Sequence, residues 1–420
     1  MKKKAILVLL ACSVFNLTVG VLYTWNMFKL NMMAPVLDGG WAWSSLRAGL
    51  PYTIAIMFFS VGVFTGGRLQ CRFGPRLLCT AGGFLVGLGL IFSGFAGANS
   101  IGIALGFGVM TGMGIGLGYS SVLPTALRWF HTSKKGTVSG FVTGGFCLAA
   151  VYLAPVSTFL LNNFSIEYAM KLLGVLVLGT SILIAQFIKN PPTGYVPEVP
   201  EKKKIRTFDC KLPDNLTSSE IIRTNVFRLF FVIFLINVSI GLMIIGNIAS
   251  IAYSQADISD YGILTFLLSL LAVTNFVGRL AGGIISDKLG RINTLFIVMF
   301  LQMLNMAVFG FYSTLSHLIF GAIIAGFSFG AVLSIFPAFT ADVFGLKNQG
   351  ANYGLIFLAY GASGVVAPVI ADYFYDIYQS FLTTYIICSV LLLGAIAANY
   401  RLKREIYKCE KKYCERMANK

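Results

Sequence analysis

The chain has 420 residues, 57% of them hydrophobic and only 11% charged, with a formal net charge of +16. With a mean hydropathy of +0.80, so apolar a composition excludes a soluble globular domain. Runs long enough to cross a bilayer fall at 5–28, 48–67, 77–96, 101–123, 138–161 and 169–188, then at 229–252, 261–284, 293–313, 317–339, 350–371 and 380–400. Each is near the ~20 residues a spanning helix needs, so the pattern predicts an all-α membrane protein with twelve transmembrane helices. The first run is too long for a signal-peptide core and no small-residue cleavage site follows, so it is read as the first helix.

The basic residues orient the spans. If Met1 is cytoplasmic, 28 of the 32 lysines and arginines fall on the cytoplasmic side, leaving Lys29, Arg47 and Lys171 outside and Arg279 within a span. Both termini are therefore expected in the cytoplasm, in the plasma membrane. The positive charge reads as cytoplasmic rims on anionic lipid, which excludes nucleic acid as the partner.

A polar interval carrying PPTGYVPEVPEKKK divides the chain. The expected units are a six-helix bundle over 1–190, a cytoplasmic linker over 191–228, a second six-helix bundle over 229–401 and a basic cytoplasmic tail over 402–420. Within the linker, Thr217-Ser218-Ser219-Glu220 can start a short surface helix. The two halves match at a nearly fixed offset. Gly67, Arg72, Gly74 and Arg76 align with Gly283, Lys288, Gly290 and nearby Arg291 at an offset of 216, and Phe130, Gly136 and Gly140 align with Phe344, Gly350 and Gly354 at 214. Two parallel repeats with a site near the bilayer midplane between them are a transporter plan, predicting two pseudo-symmetric bundles.

The eighth run, LLSLLAVTNFVGRLAGGIISDKLGR, places Arg279 eight residues before Asp287, roughly 12 Å along a helix. A permanent cation at that depth is expensive, and the expected reason for it is a cavity that it faces or an anion that it binds; the alternative is a side chain that snorkels toward the interface or is held by backbone carbonyls. Asn275 lies one turn away on the same face and is positioned to orient the guanidinium. No Asp or Glu lies within the twelve runs as bounded, so no intramembrane acidic relay is expected. The asparagines at 16, 26, 237, 247 and 305 and Gln302 are expected mainly as interhelical hydrogen-bond partners. The sequence Gly112-x-Gly114-x-Gly116-x-Gly118 lacks a preceding strand and the spacing of a nucleotide loop, so it is read as tight helix packing. The spans offer no carboxylate pair, metal set or activated nucleophile, so catalytic residues, metal ligands and cofactors are not expected. The eight cysteines are read as free thiols. A non-transporting sensor on the same scaffold stays open, although the basic tail shows no effector module.

The turn pattern Gly283-x-x-x-Asp287-Lys288-x-Gly290-Arg291 resembles the loop signature of the major facilitator superfamily, with Cys71 where the first-half copy would carry the aspartate. This resemblance implies the major facilitator fold, with Asp287, Arg291 and Cys71 as gating positions. Further stretches resemble the oxalate:formate antiporter and monocarboxylate transporter family: Gly20-Val-Leu-Tyr23-Thr-Trp25, Gly118-Tyr119, Arg128-Trp129-Phe130, Gly140-Phe141, Asn275-x-x-x-Arg279, Phe336-Pro337, Asp342-x-Phe344-Gly345 and Asn352-Tyr353-Gly354. That resemblance implies a substrate site in which Arg279 holds a carboxylate, Tyr23, Tyr119 and Tyr360 supply hydroxyls, and Phe146 and Phe329 wall the cavity. The oxalate-specific member has a lysine where this chain has Tyr360, and proton-linked monocarboxylate carriers have an aspartate where it has Asn275. One deep cation suits a monoanion, so the expected substrate is a small monocarboxylate such as lactate, pyruvate or formate. It would move by alternating access, with a proton or in exchange for another anion, through a monomeric carrier. Oxalate-type dicarboxylate exchange is the alternative.

Overall fold

A computed structural model describes residues 2–130, 135–192, 195, 216–345 and 349–418. Among them are twelve helices long and apolar enough to cross a membrane. In chain order these are α1 (Lys3–Met33), α2 (Ser45–Gln70), α3 (Arg72–Ala96), α4 (Ser100–Arg128), α5 (Val138–Asn163) and α6 (Ile166–Ala185), then α7 (Asn225–Ala256), α8 (Tyr261–Leu289), α9 (Arg291–Phe309), α10 (Leu315–Phe344), α11 (Asn352–Tyr378) and α12 (Leu382–Lys408). With an even number of crossings, both chain ends lie on one face, called here the terminal face; the opposite one is the far face. Most of the connecting segment expected at 191–228 lies outside the described residues, as does the Cys71 side chain.

Several helices run farther than their apolar cores. The expected ends of the first and eleventh spans, at 28 and 371, are too early: α1 continues to Met33 and α11 to Tyr378. Hydropathy stops at the first charge, but a helix continues wherever that charge finds a partner. The extensions enclose Lys29 and Asp372, which are 1% and 3% exposed. A carboxylate does therefore lie within a span, contrary to the sequence expectation.

The repeat is visible in the backbone. Gly74 and Gly290, related by the offset of 216, take the same glycine-favoring conformation, φ 77° and ψ 164° against φ 87° and ψ 149°. A side chain would be strained at either turn. These glycines reverse the chain between α2 and α3 and between α8 and α9. In the second copy Arg291 pairs with Asp287 (2.6 Å) and with Asp342 (3.0 Å). This expected gating charge thus ties α8 and α9 to α10 inside one bundle.

Packing follows small residues and side-chain amides. A Cβ on Gly116 would collide with the backbone of Phe59 and Gly62, so α4 and α2 approach as closely as the glycine row of α4 predicts. Asn16 donates from α1 to the Val142 carbonyl on α5 (2.8 Å), and Asn305 from α9 to that of Gly321 on α10 (3.0 Å). Before α7, Ser218–Ile221 form a short helix closed by a Thr217/Glu220 capping box. The amide and hydroxyl of Thr217 donate to Glu220 and hold its carboxyl below the usual carboxylate range.

Two seams join the halves toward the far face, α5 against α8 and α2 against α11. In the first, the hydroxyls of Thr158 and Thr265 share a 2.8 Å hydrogen bond. In the second, Thr53 donates to the Gly364 carbonyl (3.2 Å). Asn26 on α1 also donates to the Ile245 carbonyl on α7, and Tyr261 on α8 to Asn31 on α1.

Candidate substrate-binding site

The center of the molecule is organised by Arg279, which is 4% exposed. Its Nε donates to Asn275 Oδ1 (3.1 Å), one helical turn away as the spacing predicts. Its Nη1 donates across the bundle boundary to the Thr143 carbonyl on α5 (3.0 Å). Asn275 in turn donates from Nδ2 to the Tyr23 hydroxyl on α1 (3.1 Å). One polar chain therefore links α1, α8 and α5. Its partners are all neutral oxygens, and among the described residues no carboxylate pairs with Arg279. Burying an unneutralised cation costs several kcal/mol, and hydrogen bonds to neutral groups offset only part of that.

Tyr23 meets Asn275 from an irregular stretch of α1. A 3-10 turn at Val21–Thr24 interrupts the α-helix just after Gly20. A Cβ on Gly20 would strike Ala149 and the Phe146 carbonyl, so α1 and α5 touch at this level. The tighter turn re-aims the side chains that follow.

An aromatic cluster surrounds the polar chain. Phe59 lies at its middle, 5.4–5.6 Å from the rings of Tyr119, Phe146, Phe357 and Tyr360. Tyr23 meets Phe146 edge-on (5.8 Å), and Tyr360 stacks on Phe357 (4.7 Å). The hydroxyls of Tyr23, Tyr119, Tyr353 and Tyr360 lie within electrostatic reach of the guanidinium. Wide apolar walls with a few convergent polar groups are the usual construction of a small-ligand site.

The structure thus gathers Arg279, Asn275, Tyr23, Tyr119, Phe146 and Tyr360 at one place. The Phe329 ring is seated on Gly241 and walls a small internal space lined also by Asn237, Gln302 and Ser328, while the adjacent Gly330 packs on the Asn275–Arg279 turn. Phe59, Phe357 and Tyr353 belong to the cluster and were not among the expected residues. The repeat offers a signal for two of them. Phe59 corresponds to Asn275 at the offset of 216, and Phe357 to Thr143 at 214, so the neighbors of the arginine have their counterparts in the aromatic center.

The model of the Major Facilitator Superfamily matches residues 14–368. The chain belongs to the Major Facilitator Superfamily. It is a multi-pass membrane transporter and not an enzyme. The chain is 28% identical to the "Uncharacterized MFS-type transporter YhjX" of Escherichia coli, over 86% of this chain and 85% of the relative. It is 27% identical to the "Oxalate:formate antiporter" of Oxalobacter formigenes, over 85% and 81%. Monocarboxylate transporter 12 of Rattus norvegicus is 25% identical, over 82% and 75%. Among solved structures, a bacterial homolog of the human lysosomal transporter Spinster superposes with a TM-score of 0.72 at 12% identity, covering 97% of this chain and 99% of that one. This last likeness concerns the fold.

Asn275→Asp tests the polar chain in this transporter. A carboxylate at 275 would pair with Arg279 and compete with an incoming anion, so substrate affinity at neutral pH is expected to fall about tenfold. Pairing holds that carboxyl ionised, and protonation releases the arginine; uptake by the variant should therefore recover as pH falls. Uptake measured across pH in wild type and variant checks this, and a variant profile parallel to wild type counts against it.

Proposed function

We propose that this transporter carries small monocarboxylates of the lactate, pyruvate or formate class by alternating access. The observation that carries the reading is the buried, hydrogen-bonded Arg279 guanidinium, which has no carboxylate partner among the described residues. Arginine's planar fork suits a carboxylate bidentately, and a bound carboxylate would supply the missing countercharge. The tyrosine hydroxyls would hydrogen-bond its oxygens while the aromatic walls exclude water. The names of the oxalate:formate and monocarboxylate relatives support the same chemical class.

Lys29 is the other cation buried among the described residues, and Asp372 already neutralises it. One uncompensated charge remains, which favors a monoanion over a dianion. Oxalate-type exchange is the second reading, supported by the antiporter relative. The distribution of lysine and arginine supports a cytoplasmic terminal face, and the carrier is read as a monomer of the plasma membrane. A proton or a second anion would accompany the substrate.

A thermal-shift screen of small carboxylates on the purified protein, followed by uptake into proteoliposomes, tests this. Lactate, pyruvate or formate is expected to raise the melting temperature and compete for uptake. The reading is overturned if no monocarboxylate does either, or if oxalate outcompetes every one of them.

A further inference from the structure

Asp372 and Asp376 lie one turn apart near the far end of α11, and both reach across to the first six helices. Asp372 Oδ1 accepts from Lys29 Nζ on α1 at 2.5 Å and from the Ser45 hydroxyl at the start of α2 at 3.1 Å. Lys29 Nζ also donates to Asn247 Oδ1 on α7 (2.6 Å). The Asp376 carboxylate accepts from the backbone N–H groups of Ser45 (2.8 Å) and Leu46 (3.0 Å). These amides belong to the first turn of α2, where a helix leaves donors free and favors negative charge. The carboxylates of one bundle thus cap and neutralise the other. Gly49 is part of the fit, because a Cβ there would land on the Asp372 carboxylate.

We propose that Lys29 and Asp372, with Asp376 on the α2 terminus, form the latch that holds the far face shut. The substrate site can open to that side only after these carboxylates have left α1 and α2. The chemistry suits a reversible closure. Buried charges are desolvated while the seam is closed, and much of that cost returns when water enters on opening. An apolar seam would instead expose hydrophobic surface as it parted. Removing either charge leaves its partner buried and unpaired, which penalises the closed state alone and therefore shifts the population toward opening.

Thr53 reports on the seam. It lies one turn beyond Gly49 on α2, is 5% exposed, and is covered by α11. The test uses the full-length protein with Thr53→Cys in a background whose native cysteines are replaced, and follows labelling by a polar maleimide. Asp372→Asn and Lys29→Gln are each expected to speed labelling roughly tenfold. The reversed pair Lys29→Asp/Asp372→Lys should return it to within about twofold of the parent. Gly49→Ala should also speed it, displacing the carboxylate with both charges intact, and it decides the matter if a charge variant does not fold. Parent-like labelling in folded single variants overturns the latch. So does a folded reversed pair that labels as fast as the single variants. The readout needs no substrate, so it succeeds or fails separately from the carboxylate reading.

Discussion

Arg279→Lys is expected to lower the efficiency of carboxylate uptake about a hundredfold while the protein still folds. Lysine preserves the charge but replaces a planar fork with a single ammonium. It cannot simultaneously engage Asn275, the Thr143 carbonyl and both oxygens of a carboxylate as the guanidinium geometry allows. The loss of one bidentate, charge-assisted contact in a dry site is worth about 2–3 kcal/mol, which corresponds to roughly that factor. Concentration-dependent uptake into proteoliposomes, with melting temperature as the folding control, checks it. Wild-type kinetics in the variant would remove Arg279 from the substrate site.

Tyr360→Lys is expected to shift selectivity from monocarboxylates toward oxalate by roughly ten- to thirtyfold in relative affinity. Tyr360 stacks on Phe357 and meets Phe59 edge-on, so a lysine stem would run along the Phe357 ring. Its ammonium would lie in the same aromatic cluster as Arg279, and a dianion would answer both charges. A desolvated countercharge pair returns much of its Coulombic gain as desolvation, leaving about 1.5–2 kcal/mol. Competition of oxalate against a labelled monocarboxylate, in wild type and variant, measures the change. If the preference stays the same, valence is set by something other than the number of cations. The variant should also melt earlier, because it loses two ring contacts.

The twelve helices were legible because bilayer-spanning segments must be long and apolar, and the repeat was legible because its turn glycines serve a backbone need that recurs in each half. Arg279 and Asn275 could be read together, since a four-residue spacing on a helix fixes their neighborhood without tertiary information. Lys29 and Asp372 could not. Each sits just past an apolar run, where a charge reads as the end of a span, and each is buried only because the other is there. Their separation of 343 residues hides that pairing from any local pattern. Phe59 and Phe357 stayed hidden among 36 phenylalanines because a ring packed in the central cluster and a lipid-facing ring share one composition. Phe329 has a position resembling a cavity wall, and its ring lines a small internal space beside Gly241.

The Thr158–Thr265 bond has one more implication. At the repeat offsets, Thr158 corresponds to Asp372 and Thr265 to Gly49, so the hydroxyl pair and the carboxylate over its glycine occupy equivalent places in the two seams. With equal seams, the two sides of the far face would part alike. Here one seam carries a neutral bond between short side chains, while its counterpart carries charge and a helix-terminus anchor. A symmetry of the backbone therefore coexists with an asymmetry in the chemistry of its two seams.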